Sequence, residues 1–373
     1  MDAGFVPPPY PYERLDALRE KAEAHEGGMV ELAAGIPCDP PSPAVVAALS
    51  SSGAERAYPP SVGTERFREA GAAWLGRRFG VDVPADAVAA CIGTKELVGT
   101  IAQYLRLRWP NRDTVLYPAV SYPTYEMGAL LAGCRPVPVP VDAQWRMKLS
   151  AIDPADADRA LCLWVNSPGN PAGQLEDVEE IAWWGRGRGV LVVSDECYAD
   201  FTWDGAPSTV LATGLEGVLA VHSVSKRANL AGLRAGFYAG DPEIVGYLSD
   251  VRKHAGFMVP GPVQHAAALA LDDDAFAAGQ AAAYRRRLER FATILGHAFG
   301  LAVPLPGGGI YLWLRAPEGG AWAFAERLAA EGGALVSPGE FYGEAGAEHV
   351  RIAMVQPDER IELVARRLGV PPA

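Results

Sequence analysis

From about residue 65 to residue 250 the chain repeats one unit, a short and almost wholly apolar run paired with a longer stretch of helical spacing. The apolar runs are "AVAACIG", "TVLYP", "PVPVPV", "ALCLWVN", "GVLVVSD", "VLAVHS" and "RAGFYAG". Around them, Glu65–Phe79 sets Phe67, Ala70 and Trp74 on one helical face, and 96–107, 124–132 and 175–187 also read as helices. A strand apolar on both faces must be covered on both faces. The unit therefore predicts an α/β fold, a mostly parallel sheet flanked by helices. "PVPVPV" belongs at the edge of that sheet, since proline cannot donate to a ladder.

The pattern changes at both ends. The first 40 residues are Pro-rich and irregular around a helical stretch at 12–24, and read as an arm. Beyond residue 260 come helical stretches at 264–271 and 281–296, then "GIYLWLR", a helix at 322–331, "ALVSP", "HVRIAMV" and a last helix at 358–368. This is an α+β style. The expected division is an arm over 1–40 that helps complete the small domain, a large domain over 41–260 and a small C-terminal domain over 261–373. A chain of 373 residues has room for both. "DDD" at 272–274 reads as a solvated helix end.

Charge narrows the partners. With 33 basic and 45 acidic residues the net charge is −12, which argues against nucleic acid or an anionic membrane as the main target. Cys38, Cys91, Cys134, Cys162 and Cys197 show no CxxC spacing, so free thiols in a reducing compartment are expected rather than disulfides or zinc. The N-terminal residues have no basic start and no apolar core, and no apolar run approaches the ~18 residues of a membrane span. A cytoplasmic protein is the expectation.

In open parallel sheets, ligands bind beyond the carboxyl ends of the strands. Five apolar runs here end in polar residues: Gly93-Thr94-Lys95-Glu96, Tyr117 to Tyr125, Asn166 to Gly173, Asp195-Glu196-Cys197-Tyr198, and Ser223-Val224-Ser225-Lys226. Each has an ordinary explanation by itself. Gly93-Thr94 could be a plain helix cap, Asp195 a turn cap, Asn170 in "NSPGNPAG" a turn residue, and Lys226 a solvated strand end. The first is neither a P-loop nor a dinucleotide fingerprint. Together they suit a phosphorylated aromatic cation that bears an aldehyde. Thr94, Ser223, Ser225 and Arg234 could hold a phosphate, with Lys95 a possible second ligand beside Gly93. Asp195 could hold a pyridinium, Asn170 and Tyr198 a ring oxygen, and Lys226 the aldehyde. Lysine is scarce here (Lys21, Lys95, Lys148, Lys226 and Lys253), and Lys226 alone stands between a phosphate site and a pyridinium site. The ligand this describes is pyridoxal 5′-phosphate.

These residues resemble the fold-type I, class I/II aminotransferases over nearly the whole chain, through "YPPSVGTERFREA", "IGTKE", "YPAVSYPTY", "NSPGNPAG", "VVSDECY", "HSVSK", "LAGLRAG" and "HVRIAM". "GRGVLVVSDECY", "VRKHAGFMVPGPVQ" and "GEFYG" are most similar to actinobacterial N-succinyldiaminopimelate aminotransferases of lysine biosynthesis. The resemblance implies that Lys226 bonds the cofactor and then moves a proton between the substrate Cα and the cofactor. Asp195 keeps the ring nitrogen protonated, and Tyr198 and Asn170 contact the ring oxygen. Gly93, Thr94, Lys95, Ser223, Ser225 and Arg234 bind the phosphate. Tyr122, or alternatively Tyr125, stacks on the ring. Arg351 clamps the substrate α-carboxylate beside Gly35, and Tyr58 crosses a homodimer interface to the phosphate of the other subunit. The implied reaction is amino transfer between glutamate and an α-keto acid, with N-succinyl-2-amino-6-oxopimelate as acceptor. The alternatives are a class I/II aminotransferase of another amino acid, or a β-lyase using the same cofactor. Arg227, Lys253 and His254 are candidates for a distal substrate carboxylate.

Overall fold

The computed structural model describes residues 4–51 and 53–372; the first three residues of the expected arm lie outside it. Twelve strands are labelled in chain order: β1 (Val30–Glu31), β2 (Val88–Cys91), β3 (Thr114–Pro118), β4 (Arg135–Val139), β5 (Ala160–Asn166), β6 (Leu191–Asp195), β7 (Val218–Ser223), β8 (Gly236–Gly240), β9 (Tyr311–Arg315), β10 (Ala334–Leu335), β11 (Ser337–Pro338) and β12 (His349–Ala353). A seven-stranded sheet has the order β2-β8-β7-β6-β5-β3-β4. The pairs from β7 through β4 run parallel, whereas β8 runs antiparallel to both its neighbours. Every residue of β5, β6 and β7 is buried, as strands apolar on both faces require. β4 is an edge strand, paired only to β3, and Pro136 and Pro138 explain why.

A three-stranded antiparallel sheet, β11-β12-β9, forms a second body with the helix Gly320–Gly332 and the helix Asp358–Arg367. The arm joins it. β1 pairs in parallel with β10, and Leu15, Leu18, Leu32 and Ala33 share one apolar cluster with Leu312, Phe324 and Ile352. No helix among the described residues is long and apolar enough to cross a membrane.

Three features depart from expectation. Helix Gly261–Asp272 packs on helices Glu65–Phe79 and Pro43–Ser51, and its Ala266, Ala267, Ala268 and Leu271 lie in the core beneath the large sheet. The boundary expected at residue 260 therefore cuts through a packed core; the change of body falls after this helix. Asp273 accepts from the Phe276 N–H and so caps the 26-residue helix Asp274–Phe299, which begins earlier than 281 because of that cap. Helix Val178–Arg188 starts three residues later than 175, where Asp177 accepts from the Glu180 N–H.

Candidate active site

The carboxyl ends of β2, β5, β6 and β7 open on a cavity of about 400 Å³ that the arm and β12 close from the other side. Asp195 ends β6 and is 7% exposed. Its Oδ2 accepts from the Tyr125 hydroxyl at 2.8 Å and its Oδ1 from the Cys197 N–H at 3.2 Å, yet among the described residues it forms no ion pair. Burial pushes its carboxyl above the usual range. A cation bound against this carboxylate would stabilise its charged form.

Beside it, β7 runs into the short helix Val224–Arg227. The Ser223 side chain caps that turn, accepting from the Ser225 N–H at 3.0 Å while its hydroxyl donates to Ser225 Oγ at 2.8 Å. Lys226 follows, its amine held below the ordinary lysine range by burial, with Arg234 and Arg351 acting in the same direction. A depressed amine is what carbonyl chemistry needs at neutral pH. Across the gap the helix Thr94–Arg108 begins after Gly93, whose φ is 69°. A Cβ on Gly93 would collide with the Arg234 guanidinium, so glycine is what lets the two loops interlock. Thr94, Ser223, Ser225 and Arg234 thus line one end of the cavity, together with a helix N-terminus.

The opposite wall is largely aromatic and centres on one guanidinium. Arg351, in the middle of β12, is 2% exposed. It donates to Asn170 Oδ1 at 2.7 Å, to the Tyr12 hydroxyl at 2.9 Å and to the Ala33 carbonyl. Its guanidinium lies 4.1 Å from the centre of the Tyr311 ring and 4.6 Å from that of Tyr342, and its Nε has no hydrogen-bond partner among the described residues. The Tyr198 and Tyr311 hydroxyls are 2.8 Å apart, as are those of Tyr12 and Tyr342 at 2.9 Å. Gly35 stands against Tyr311, whose hydroxyl would strike any Cβ there. A buried cation with an unused N–H among phenols has the chemistry to take a carboxylate.

Of the residues expected at the site, Lys226, Asp195, Tyr198, Thr94, Lys95, Tyr122, Asn170, Ser223, Ser225, Arg234, Gly35 and Arg351 line this cavity. Gly93 lies just behind the wall, under Arg234. Tyr58 does not reach the cavity: it is 95% exposed on the surface of the chain. Lys95 donates to the Tyr10 hydroxyl at 3.3 Å. Tyr122 lines the cavity, whereas Tyr125 is fully buried beneath it, stacked 4.8 Å from Trp164. The distal-carboxylate candidates need correcting. Arg227 is buried and engaged with Asp200, Asp274 and the Ala270 carbonyl, and neither Lys253 nor His254 lines the cavity. The cations that do line it, besides Lys226, Arg234 and Arg351, are Arg19 and Lys95. Sequence reasoning also missed Tyr10, Tyr12, Cys197 and Tyr311. "PYPY" in the arm was a visible signal, since tyrosines in an otherwise irregular Pro-rich segment have no core of their own to fill.

The donor set fits pyridoxal phosphate: an anion cradle at one end, an unpaired buried carboxylate at the other, and a depressed lysine amine between them. Comparison with known proteins agrees. The model of the family "Aminotransferase class I and II" matches residues 27–368. The 4-dedimethylamino-4-oxo-anhydrotetracycline transaminase OxyQ of Streptomyces rimosus is 42% identical, covering 97% of this chain and 99% of its own. A protein of Mycobacterium tuberculosis named "Probable aminotransferase" is also 42% identical, over 97% of this chain and 85% of its own. Among solved structures, one from Thermus thermophilus described as "probable N-succinyldiaminopimelate aminotransferase" superimposes with a TM-score of 0.84 at 31% identity, covering 96% of this chain and 98% of that one. The chain belongs to the class I and II aminotransferases, with the fold-type I architecture and pyridoxal phosphate as its cofactor.

Proposed function

We propose that this aminotransferase moves an amino group between glutamate and an α-keto acid, and that the acceptor is N-succinyl-2-amino-6-oxopimelate, on the route to diaminopimelate and lysine. The observation that carries the reading is the pairing of Arg351 with two further cations, Lys95 and Arg19, on the wall of one cavity. Such a wall offers cations for more than one carboxylate of a substrate. Arg19 is partly matched by Glu31 at 3.2 Å, which leaves Lys95, bonded to a neutral phenol, the stronger partner for the distal group. The name of the Thermus relative supports the same substrate.

The chemistry the cofactor supplies when bound is an electron sink for the charge left at the substrate Cα. The protein does the rest. Thr94, Ser223, Ser225 and Arg234, with Gly93 beside them, would hold the phosphate, and Lys95 is left for the distal carboxylate. Asp195 would accept from the ring nitrogen and keep it protonated, Asn170 and Tyr198 would address the ring oxygen, and Tyr122 would cover the ring. Lys226 would hold the cofactor through its aldehyde, and its amine is the base available for the proton at the substrate Cα. Arg351 and the backbone at Gly35 would hold the substrate α-carboxylate. The almost fully exposed Tyr58 supports a homodimer in which this residue serves the phosphate of a second copy. The acidic chain, without apolar spans among its described residues, is consistent with a cytoplasmic enzyme.

A second reading has its own support. OxyQ is a 42% relative whose name specifies an oxo-anhydrotetracycline, so a bulky cyclic ketone is the competing acceptor. The test is steady-state kinetics with glutamate against a panel of acceptors. The succinylated keto acid is expected to give the highest kcat/KM and parallel double-reciprocal lines. A higher kcat/KM with a polycyclic ketone, or with an unsubstituted amino-oxopimelate, overturns the substrate while leaving the transaminase.

A further inference from the structure

Behind the rim lies a buried acid–base pair that none of the steps above uses. Glu196 directly follows Asp195, and His222 directly precedes Ser223. Side chains alternate along a strand, so when Asp195 and Ser223 line the cavity their neighbours turn away from it. There they meet. His222 Nε2 is 3.3 Å from Glu196 Oε2, with the two side chains 2% and 0% exposed. Glu196 Oε1 accepts from the Val210 N–H at 2.8 Å, whereas Oε2 and both imidazole nitrogens, including the two atoms of that approach, have no formed hydrogen bond among the described residues. The imidazole is boxed by Trp74, Phe79 and Phe237, with ring centres at 4.9, 5.9 and 5.0 Å.

Such a box does not tolerate separated charge. Burial drives both groups toward their neutral forms, the Glu196 carboxyl up to about 7 and the His222 imidazole down to about 3. A neutral acid facing a neutral imidazole holds one proton between them and satisfies an atom on each side. The position of the pair matters as much as its chemistry. The β6–β7 ladder ends at Asp195 opposite Val221, with one last bond from the Glu196 N–H to the Val221 carbonyl at 2.9 Å. Past that point β6 leaves the sheet, and the side chains of Glu196 and His222 approach each other from the two strand ends.

We propose that Glu196 and His222 are a positioning pair, a carboxylic acid donating to imidazole Nε2, which ties the ends of β6 and β7 together and so sets the distance between Asp195 and Ser223. This rests on the reading of Asp195 as the ring-nitrogen partner and Ser223 as a phosphate partner. The pair acts through those residues and does not touch the cofactor.

The test titrates apoprotein with pyridoxal phosphate and records the visible spectrum, the dissociation constant and the melting temperature of the apoprotein. Glu196→Gln keeps a neutral N–H donor and is expected to leave affinity and spectrum unchanged. His222→Phe fills the box but accepts nothing, and should weaken cofactor binding about tenfold, the equivalent of one lost hydrogen bond. Because His222→Phe could also harm folding, Glu196→Met/His222→Phe is made as well. It removes both polar partners, and should recover apoprotein stability without recovering cofactor affinity. A strongly downfield proton resonance from the acid proton shared with Nε2 is expected in the wild type, and not in Glu196→Gln or His222→Phe. Wild-type affinity in the stable double variant would mean that the pair only fills space, and would overturn the proposal. Asp195→Asn separates the two readings. If it leaves the cofactor spectrum unaltered, the assignment of Asp195 falls and the role of the pair falls with it. If it alters the spectrum while His222→Phe binds normally, only the pair is refuted.

Discussion

The two walls of the cavity are built on opposite plans. The rim wall collects residues from strand ends of one sheet, each beside a neighbour in the ladder, with Asp195, Ser223 and Lys226 within the reach of two adjacent strands. The far wall draws Tyr12, Ala33, Asn170, Tyr311 and Arg351 from five distant parts of the chain around one guanidinium. The rim presents charge and hydroxyls in an order that suits one rigid cofactor. The far wall presents the Arg351 guanidinium in an aromatic sleeve, partly supplied by an arm that has little core of its own. In the function proposed above, the regular part of the fold would hold most of the fixed group, and the assembled part the ligand that comes and goes.

Substitutions can break this contrast. Lys226→Ala at the rim should lower kcat by about 10⁴-fold and abolish the visible band of covalently bound cofactor. Retained turnover together with a retained band would show that the amine is elsewhere. Arg351→Lys on the far wall keeps the charge but not the fork, and is expected to lower kcat/KM about 100-fold for donor and acceptor alike, with the cofactor spectrum unchanged. A spectral change would mean that the walls are not separable. Tyr12→Phe removes one acceptor from Arg351 and should change KM by about tenfold with kcat nearly constant, measured with both substrates. The mildest expectation is Glu176→Gln, which should not alter turnover. Glu176 ties the loop that carries Asn170, accepting from the Met147 N–H at 3.2 Å while its own N–H donates to Ser167 Oγ at 3.1 Å. Burial raises its carboxyl from 4.5 to about 7, so the folded protein binds this proton more tightly than the unfolded chain. Its contribution to stability is complete below pH 4.5 and is lost as pH rises through about 7. Melting temperatures between pH 5 and pH 8 should fall less in the glutamine variant.

The contrast also explains what could be read in the sequence. Apolar runs such as "ALCLWVN" and "GVLVVSD" disclose buried parallel strands by composition alone, and the residues that follow them disclose the rim, because sheet geometry places strand ends together. Arg351 was legible through its motif, but its sleeve was not. Nothing local to Tyr12 or Tyr311 marks them as neighbours, since their meeting depends on β1 pairing with β10 and on the packing of the arm against the second body. Helix Gly261–Asp272 is a similar case: a helix of alanines shows its core face only once Glu65–Phe79 and Pro43–Ser51 are known to cover it. The cations facing a distal carboxylate were likewise a matter of tertiary contact, so a scan for nearby basic residues found Arg227, which is already bound elsewhere.

Because β8 runs against its neighbours, its first residue, not its last, lies at the rim, where Gly236 pairs with Ser223. Arg234 therefore arrives just ahead of a strand, while the other polar groups at the rim depart from one. The consequence concerns how the chain folds. Residues 218–240 form an antiparallel pair closed by residues 224–235, and that single segment already carries Ser223, Ser225, Lys226 and Arg234. Closing so short a loop costs little chain entropy compared with the long-range parallel pairings around it. Most of the anion cradle can thus be organised from local contacts, leaving the Gly93-Thr94 turn and its helix to be delivered from far along the chain.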